Sequence, residues 1–393
     1  MTLIASRAAR CADVLSTLLA IDTANPMGRQ YDRSTPVERD AIVAIERLFA
    51  PHRDLVTLRR QACSPIHESL IVTWPGTSRR RPALFESHID TVPADGWADR
   101  AFEPRVEGKR LFGLGACDDK GSLTGMLVAL LELVEQGVEP PRPIILVCAG
   151  DEEYAQTGIR RFLESTDATP AYGIFGEPTS LLPVVQHKGT VRWDLTVHGR
   201  AAHTSRPELG VNAIIGMMDV IAELRLYQET LQTRCTTPLM TGPTISITKI
   251  AGGRTRNATP DQCTIAVDFR VLPGMHPADE REAIIERLTS LPWEISHSAV
   301  QLLTPPLDTQ PDSSFSQGVL SICRELVDRQ TQLTGAPYGT DAAWAGQSCP
   351  SMVIGPGDIG DAHAVDESIL LSELVAAVEV YQRIMQDPFE SLP

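Results

Sequence analysis

Two hydrophobic patterns alternate along the chain, and each predicts a different kind of element. In the first half, short apolar runs of strand length alternate with helical runs, which is typical of strands buried on both faces. Strands are predicted over 68–74, 82–88, 143–150 and 171–177, and a buried helix over 121–137. This rhythm predicts an α/β fold, a mixed and mostly parallel sheet with helices on both faces.

From Gly189 onward the pattern changes to strict alternation, which is typical of strands with one solvated face. Alternating strands are predicted over 190–199, 244–253 and 263–274, and helices over roughly 210–228 and 278–290. The first pattern resumes near residue 300, with elements predicted over 312–330, 351–357 and 370–386. We therefore predict a discontinuous larger domain, 1–188 and 299–393, with a smaller α+β (ferredoxin-like) domain inserted at 189–298.

Composition excludes several classes of function. The formal net charge of −15 would repel phosphate backbones, so nucleic acid is not expected as a partner. No apolar run reaches the roughly 18 residues of a membrane span, and residues 1–15 predict an amphipathic helix, not a signal peptide. The eight cysteines form no C-x-x-C pair, which favours reduced thiols and a cytoplasmic location.

His88 and Asp90 stand at the end of one predicted strand. Residues two apart on a strand project to the same face, so the two side chains point the same way. They are either an imidazole ligand with a nearby carboxylate or two polar residues at a loop entrance. Taken alone, the pair favours the second interpretation.

Acids and histidines follow the other predicted strands as well, and the carboxyl ends of such strands are where α/β sheets bind ligands. They are Asp118 and Asp119 before a helix, Asp151, Glu152 and Glu153 after 143–150, Glu177 after 171–177, and His363 after 351–357. Converging carboxylates repel unless cations lie among them. Two histidines with several carboxylates suit zinc or a similar divalent ion, and the number of ligands suits two ions about 3.5–4 Å apart. This predicts metal-dependent hydrolysis of an amide, peptide or ester.

Motifs along nearly the whole chain resemble one enzyme family. In order they are SHIDTVP, GLGACDDKG, DEE, GEPTSLLPVVQHKG, GRAAHTSRPELGVNAI, DFRVLPGM, GTDAAW and GPGDIGDAHAVDE. The chain looks like the co-catalytic zinc metallopeptidases and deacylases that include acetylornithine deacetylase, succinyl-diaminopimelate desuccinylase and glutamate-releasing carboxypeptidases. The motifs GEPTS…HKG and GPG…AH…DE look most like acetylornithine deacetylase.

The resemblance implies a metal ligand set. His88 and Glu177 would bind one divalent ion, and Glu153 and His363 would bind a second. Asp118 would bridge the two ions. The family's metal is zinc, with cobalt as an alternative.

The resemblance also implies roles outside the ligand set. Glu152 would be the general base, and Asp90 would orient His88 from the outer shell. In this family the inserted domain makes a homodimer and acts as a lid, and His203 would reach the other subunit's site to stabilise the oxyanion. Arg270 and Asn257 match positions that help to hold substrate.

The resemblance implies a di-zinc amidohydrolase that acts on a small-molecule N-acyl amino acid. N-acetylornithine is the favoured candidate substrate, which would place the enzyme in arginine biosynthesis. A desuccinylase, another N-acyl-amino-acid deacylase and a carboxypeptidase remain open, because GTDAAW departs from the expected deacetylase pattern. A non-catalytic binding protein on this fold is disfavoured, since the implied ligands and base are all present.

Other polar residues are expected to have ordinary roles. Asp119 is expected not to bind metal, and Lys120 is expected to pair with nearby carboxylates. Five histidines are expected to be plain surface or core residues: His52, His67, His198, His276 and His297.

Overall fold

The structure is a computed structural model that describes residues 3–166 and 168–392. Its helices are α1 (Leu3–Leu19), α2 (Arg39–Leu48), α3 (Ala98–Ala101), α4 (Lys120–Glu135), α5 (Thr157–Ser165), α6 (Ala213–Arg234), α7 (Pro277–Leu288), α8 (Ser314–Leu326), α9 (Ala342–Ala345) and α10 (Leu371–Gln386). Its strands are β1 (Thr57–Ala62), β2 (Glu68–Trp74), β3 (Ala83–His88), β4 (Arg105–Glu107), β5 (Arg110–Phe112), β6 (Ile144–Ala149), β7 (Tyr172–Phe175), β8 (Val184–His187), β9 (Gly189–His198), β10 (Thr244–Gly252), β11 (Gln262–Val271), β12 (Glu294–His297), β13 (Leu302–Thr304), β14 (Leu307–Asp308), β15 (Thr334–Ala336), β16 (Ser351–Val353) and β17 (Ser368–Leu370). The predicted N-terminal helix corresponds to α1, and Met1 and Thr2 lie outside the described residues.

The chain divides into two compact units. The first comprises 1–185, 309–334 and 340–393, and the second comprises 186–308 and 335–339. The second unit is larger than the 189–298 expected from sequence, because short strands on either side of that range pair with its strands or with one another. β13 pairs with β9, and β14 and β15 both pair with β8.

The main sheet of the first unit has the strand order β1-β2-β6-β3-β7-β16-β8, of which β8 contributes only Val184 and Val185 to this unit. The central strands β6, β3, β7 and β16 run parallel, whereas β1, β2 and β8 pair antiparallel. The predicted mixed α/β sheet is therefore confirmed, with its parallel strands at the centre. Because the central strands run in one direction, their carboxyl ends lie at one edge of the sheet.

Helix α4 is the innermost helix of the first unit. Every residue from Lys120 to Val134 is buried, as expected for a helix that is apolar on nearly all sides. It packs against β3, α1 and α10. A Cβ at Gly125 would lie 2.9 Å from the Tyr381 ring, so glycine allows α10 to approach closely. Asp118 and Asp119, joined by a cis peptide bond, immediately precede this helix.

The second unit contains an antiparallel sheet of order β10-β11-β9-β12, with α6 packed against β9, β10 and β11. Alternate residues of β9 and β11 are buried, and opposite partners such as Val191 and Phe269 are both in the core. Met217, Val220 and Leu224 of α6 cover this face at helical spacing. Among the described residues, no helix of either unit combines the length and apolarity needed to cross a membrane.

Candidate active site

The site is built at the carboxyl ends of three neighbouring parallel strands. β3 lies between β6 and β7, with both of which it pairs in parallel. His88 is the last residue of β3, Glu152 lies shortly after β6, and Glu177 shortly after β7. The side chains meet because all three strands end at the same edge of the sheet.

Six predicted side chains form two clusters. In each cluster, one potential ligand atom from each residue lies within 4.8 Å of the others: a first cluster of His88, Glu152 and Glu177, and a second cluster of Asp118, Glu153 and His363. Asp118 touches both clusters, since its Oδ1 is 3.1 Å from His88 Nε2 and its Oδ2 is 3.1 Å from His363 Nε2. His363 Nε2 is also 3.2 Å from Glu153 Oε1.

The chemistry of these atoms fits divalent cations. Imidazole nitrogen with carboxylate oxygen is a common ligand set of zinc and of cobalt. His88, Asp118 and Glu177 are buried, whereas His363 is exposed. Four carboxylates in two adjoining clusters would be costly to bury without positive charge beside them, and divalent ions supply that charge.

The protonation equilibria of His88 and Asp118 are linked. Burial disfavours the charged form of His88, but the hydrogen bond to Asp118 and the nearby carboxylates raise its pKa well above the ordinary value. Burial also disfavours the charged form of Asp118, but hydrogen bonds from His363 and His88 outweigh it and lower the pKa of the carboxyl. A cation and a proton bind the same nitrogen lone pair, so the atoms that hold protons here are those that could hold metal.

Burial has the largest effect on the pKa values of the other carboxyl groups. Burial raises the pKa of Glu152 to about 8, and it also raises the pKa values of Glu153 and Glu177. Hydrogen bonds to Asp118 and Glu153 raise the pKa of His363 to about 10. A bound cation would favour the ionised carboxylates and oppose these upward shifts.

Asp90 contacts His88 differently from the sequence expectation. Its backbone carbonyl lies 2.9 Å from His88 Nδ1, whereas its nearest carboxylate oxygen is 3.7 Å away. The carbonyl can only accept, so Nδ1 carries the proton and Nε2 faces Asp118. The Asp90 carboxylate instead accepts from the backbone N–H groups of Glu152 and Glu153, at 3.1 and 3.3 Å. Asp90 therefore holds the turn that carries both glutamates.

Behind Asp90 lies a buried polar network that the sequence did not predict. Asn25 Nδ2 donates to Asp90 Oδ2 at 2.9 Å and to Asp151 Oδ1 at 3.0 Å. His67, expected to be an ordinary histidine, is buried with Nδ1 2.7 Å from Glu38 Oε1 and Nε2 3.5 Å from Asp151 Oδ1. Only the polarity of Asn25 and Glu38 next to apolar runs signals this network in the sequence.

The two residues after Asp118 have structural contacts. Asp119 lies in neither cluster, and its carboxylate accepts from the Ser87 hydroxyl. The expected pairing of Lys120 with carboxylates is wrong. Its Nζ donates to the carbonyls of Leu18 and Ile21, at 3.0 and 3.1 Å. Leu18 lies in the last turn of α1 and Ile21 just beyond it, where carbonyls lack helical partners, and Lys120 donates to both.

The remaining predicted site residues lie in the second unit. His203 is exposed, with Nδ1 2.8 Å from Ser205 Oγ, and it forms a backbone bridge with Ala258. Asn257 is therefore its close neighbour, and its carbonyl accepts from the Thr204 N–H. Arg270 lies apart from this pair and forms an ion pair with Asp268 at 2.7 Å.

Comparison with known proteins identifies the family of the chain. The acetylornithine deacetylase of Yersinia pseudotuberculosis is 33% identical over 292 residues, which are 73% of this chain and 74% of that protein. Two solved structures share the fold. The aminopeptidase PepT from Bacillus cereus has a TM-score of 0.74 at 20% identity, covering 96% of this chain and 98% of that one. The YXEP protein of Bacillus subtilis, described as a dinuclear metal binding peptidase from the M20 family, has a TM-score of 0.69 at 14% identity, covering 98% and 99%.

The sequence profile of peptidase family M20/M25/M40 matches residues 84–387. That range contains every residue of both clusters, from His88 to His363. The enzyme class expected from the sequence is confirmed, and the chain belongs to peptidase family M20/M25/M40.

Proposed function

We propose that this hydrolase cleaves the amide bond of an N-acyl amino acid. Its preferred substrate would be N-acetylornithine, and the products would be ornithine and acetate. The observation that carries the proposal is the pair of clusters joined through Asp118, with the half-buried Glu152 as a member of the first. The relative named acetylornithine deacetylase supports this choice of acyl group and amine. The proposal implies a role in arginine biosynthesis in the cytoplasm, and eight free thiols agree with a reducing compartment.

His88 and Glu177 would hold one divalent ion, Glu153 and His363 would hold a second, and Asp118 would offer one oxygen to each. Zinc suits these ligands, with cobalt as the alternative. Ions at these positions would polarise the amide carbonyl and supply a nucleophilic water at neutral pH.

Glu152 would transfer the proton in this reaction. Its carboxylate belongs to the first cluster, so it can reach a water attacking at the strand ends. It would accept the proton of that water and pass it to the nitrogen of the departing amine. Asp90 keeps Glu152 in place by accepting from its backbone N–H. In the second unit, Arg270 and Asn257 would help to hold substrate.

A substrate screen tests the proposal. Metal-loaded protein, prepared with zinc or with cobalt, should hydrolyse N-acetylornithine with a higher kcat/KM than the other amides offered. The panel contains N-succinyl-diaminopimelate, N-acetyl-lysine, N-acetylcitrulline and peptides ending in glutamate. A clear preference for one of these would reassign the substrate within the family. Absence of hydrolysis for the whole panel, with metal bound, would contradict the proposed activity.

The second unit carries a surface suited to a second copy of the chain. β10 is an edge strand, so one side of its backbone is open to pairing. Beside it, α6 exposes Ile215 and Met218, and β10 exposes Ile250, with Met218 and Ile250 both 61% exposed. We propose that two copies pair through β10 and α6, since such a self-complementary contact buries an edge and an apolar patch together. His203 of each copy would then donate to the oxyanion at the partner's site.

Met218→Glu should convert the dimer into monomers, as measured by sedimentation, because it places a charge in the apolar contact. Turnover should fall by about 10²–10³-fold with it, the typical effect of losing an oxyanion donor. Val106→Glu is the matched control, since Val106 is 53% exposed on β4 of the first unit. Adding His203→Ala to Met218→Glu should lower turnover no further. A fully active monomer would exclude action of His203 on the partner's site.

A further inference from the structure

Gln156 has both ends of its side-chain amide engaged near the catalytic glutamate. Its Nε2 donates to Glu152 Oε1 at 2.9 Å, and its Oε1 accepts from the indole Nε1 of Trp344 at 3.0 Å. Gln156 is only 6% exposed, so bulk water does not compete for these contacts. The three side chains belong to the first unit and form one chain of hydrogen bonds from indole to carboxylate.

The chemistry of the two neighbours fixes the orientation of the amide. An indole N–H can only donate, and a carboxylate accepts, so the amide fits between Trp344 and Glu152 in one orientation. With its Oε1 held by Gln156, Glu152 keeps its second oxygen for proton transfer. Trp344 thus prevents the amide from turning its oxygen toward the carboxylate.

Both supporting residues are themselves held in place. Gln156 has a φ of 55°, in the left-handed region, and its backbone N–H donates to the Asp151 carbonyl at 2.6 Å. It stands directly before α5, and α5 packs against α9, which carries Trp344. The Arg160 guanidinium covers the Trp344 ring at 4.7 Å from its centroid. A backbone conformation that is unfavourable for glutamine is kept at this position, which is common where a side chain must be aimed.

We propose that Gln156 and Trp344 are positioning residues that aim the Glu152 carboxylate during amide hydrolysis. The inference rests on the proposed function, in which Glu152 moves the proton. It adds two residues, on α9 and directly before α5, that are not among the proposed metal ligands or substrate-holding residues.

Gln156→Met tests the contact, since methionine has a similar length and no amide. We expect kcat to fall about ten- to a hundredfold, the usual effect of losing a hydrogen bond to a charged group, with KM within about threefold. Trp344→Phe keeps a ring without the N–H and should lower kcat by a smaller factor, because the amide remains but can turn. Metal content should match the wild type in both variants.

Gln61→Met is the matched control. Gln61 is also a buried glutamine, and its Nε2 contacts the Arg161 carbonyl and Ser165 Oγ near the far end of α5. It supports the same helix without touching Glu152, so its loss should change thermal stability and leave kcat within about twofold. An equal loss of kcat in Gln61→Met and Gln156→Met would assign the effect to α5 and overturn the proposal.

A double-mutant cycle separates positioning from general structural support. If Gln156 acts through Glu152, adding Gln156→Met to Glu152→Gln should cause no further loss of turnover. A further loss equal to that in the wild-type background would overturn the positioning role. If Glu152→Gln alone retained normal turnover, the base assignment itself would fail, and that outcome is distinct from either result of the cycle.

An indole resonance provides a readout independent of activity. In protein labelled with ¹⁵N-tryptophan, the side-chain N–H signal that disappears in Trp344→Phe identifies Trp344. That signal should move in Gln156→Met, because the indole loses its acceptor, and stay in place in Gln61→Met. An unmoved signal in Gln156→Met would show that the hydrogen bond is absent in solution.

Discussion

Glu152→Gln should lower kcat by about 10²–10⁴-fold, because the amide keeps the size of the side chain but cannot accept a proton. Metal content should remain that of the wild type, since other residues are proposed to hold the ions. The measurement is steady-state turnover of N-acetylornithine, with metal analysis of the same preparation. The effect should appear in kcat more than in KM, as expected for a group that acts in the transition state.

Glu153→Gln is the natural counterpart. Both glutamates follow β6, and both donate their backbone N–H to Asp90, so the two substitutions disturb the same turn. Glu153 touches His363 in the second cluster, and its substitution should reduce metal content as well as turnover. Equal loss of metal in the two variants would make Glu152 a ligand, a role that its place in the first cluster also permits. Near-normal turnover in Glu152→Gln would refute the base assignment.

Asp118→Asn should weaken metal binding at both clusters at once. Asp118 contacts the histidine of each cluster, and an amide offers one neutral oxygen in place of two charged ones. Loss of an outer partner of a metal ligand already costs about 10–100-fold in affinity, so loss of the shared ligand should cost at least that much. Calorimetric titration of the metal-free protein with zinc or cobalt measures the change in metal affinity directly. Up to two ions per chain should bind to the wild type.

Asp119→Asn provides the control, because Asp119 is the adjacent buried carboxyl and lies in neither cluster. It should leave metal affinity near that of the wild type. Chelation should abolish turnover of the wild type, and added zinc or cobalt should restore it. The Asp118→Asn protein should stay inactive at the same metal concentration. Wild-type metal affinity in Asp118→Asn would contradict the bridging role.

The sequence predicts the site where the residues follow neighbouring parallel strands. His88, Glu152 and Glu177 could be grouped because a shared strand direction brings their positions together. His363 and Asp118 were grouped with them by their positions after a strand and before a helix, but the role of Asp118 as a bridge depended on the resemblance. The strand β2 lies where the sequence predicted it, at Glu68–Trp74, because the apolar residues Leu70–Val72 and Trp74 in a segment of this length indicate a buried strand.

The supporting contacts could not be predicted because their partners are distant in sequence and individually ordinary. Gln156 and Trp344 are separated by 188 residues, and His67 and Glu38 by 29. No periodicity connects such pairs, and either residue alone would be assigned to the surface or core. Asp90 illustrates the same limit within a motif. That Asp90 and His88 lie on the same face of the strand was predictable. That the Asp90 carbonyl accepts from the His88 ring, and its carboxylate from two backbone N–H groups, was not.

The burial of α4 has a consequence for the proposed bridging aspartate. A helix enclosed along its length can expose its amides only when much of the protein unfolds, so its first turn does not fray independently. Asp118 lies two residues before that helix. Its backbone N–H donates a hydrogen bond to the Glu367 carboxylate at 2.9 Å. The aspartate proposed to bridge the clusters is thus joined to a helix that is buried along its length. The geometry for holding two ions should therefore persist through local fluctuations that loosen the exposed His363.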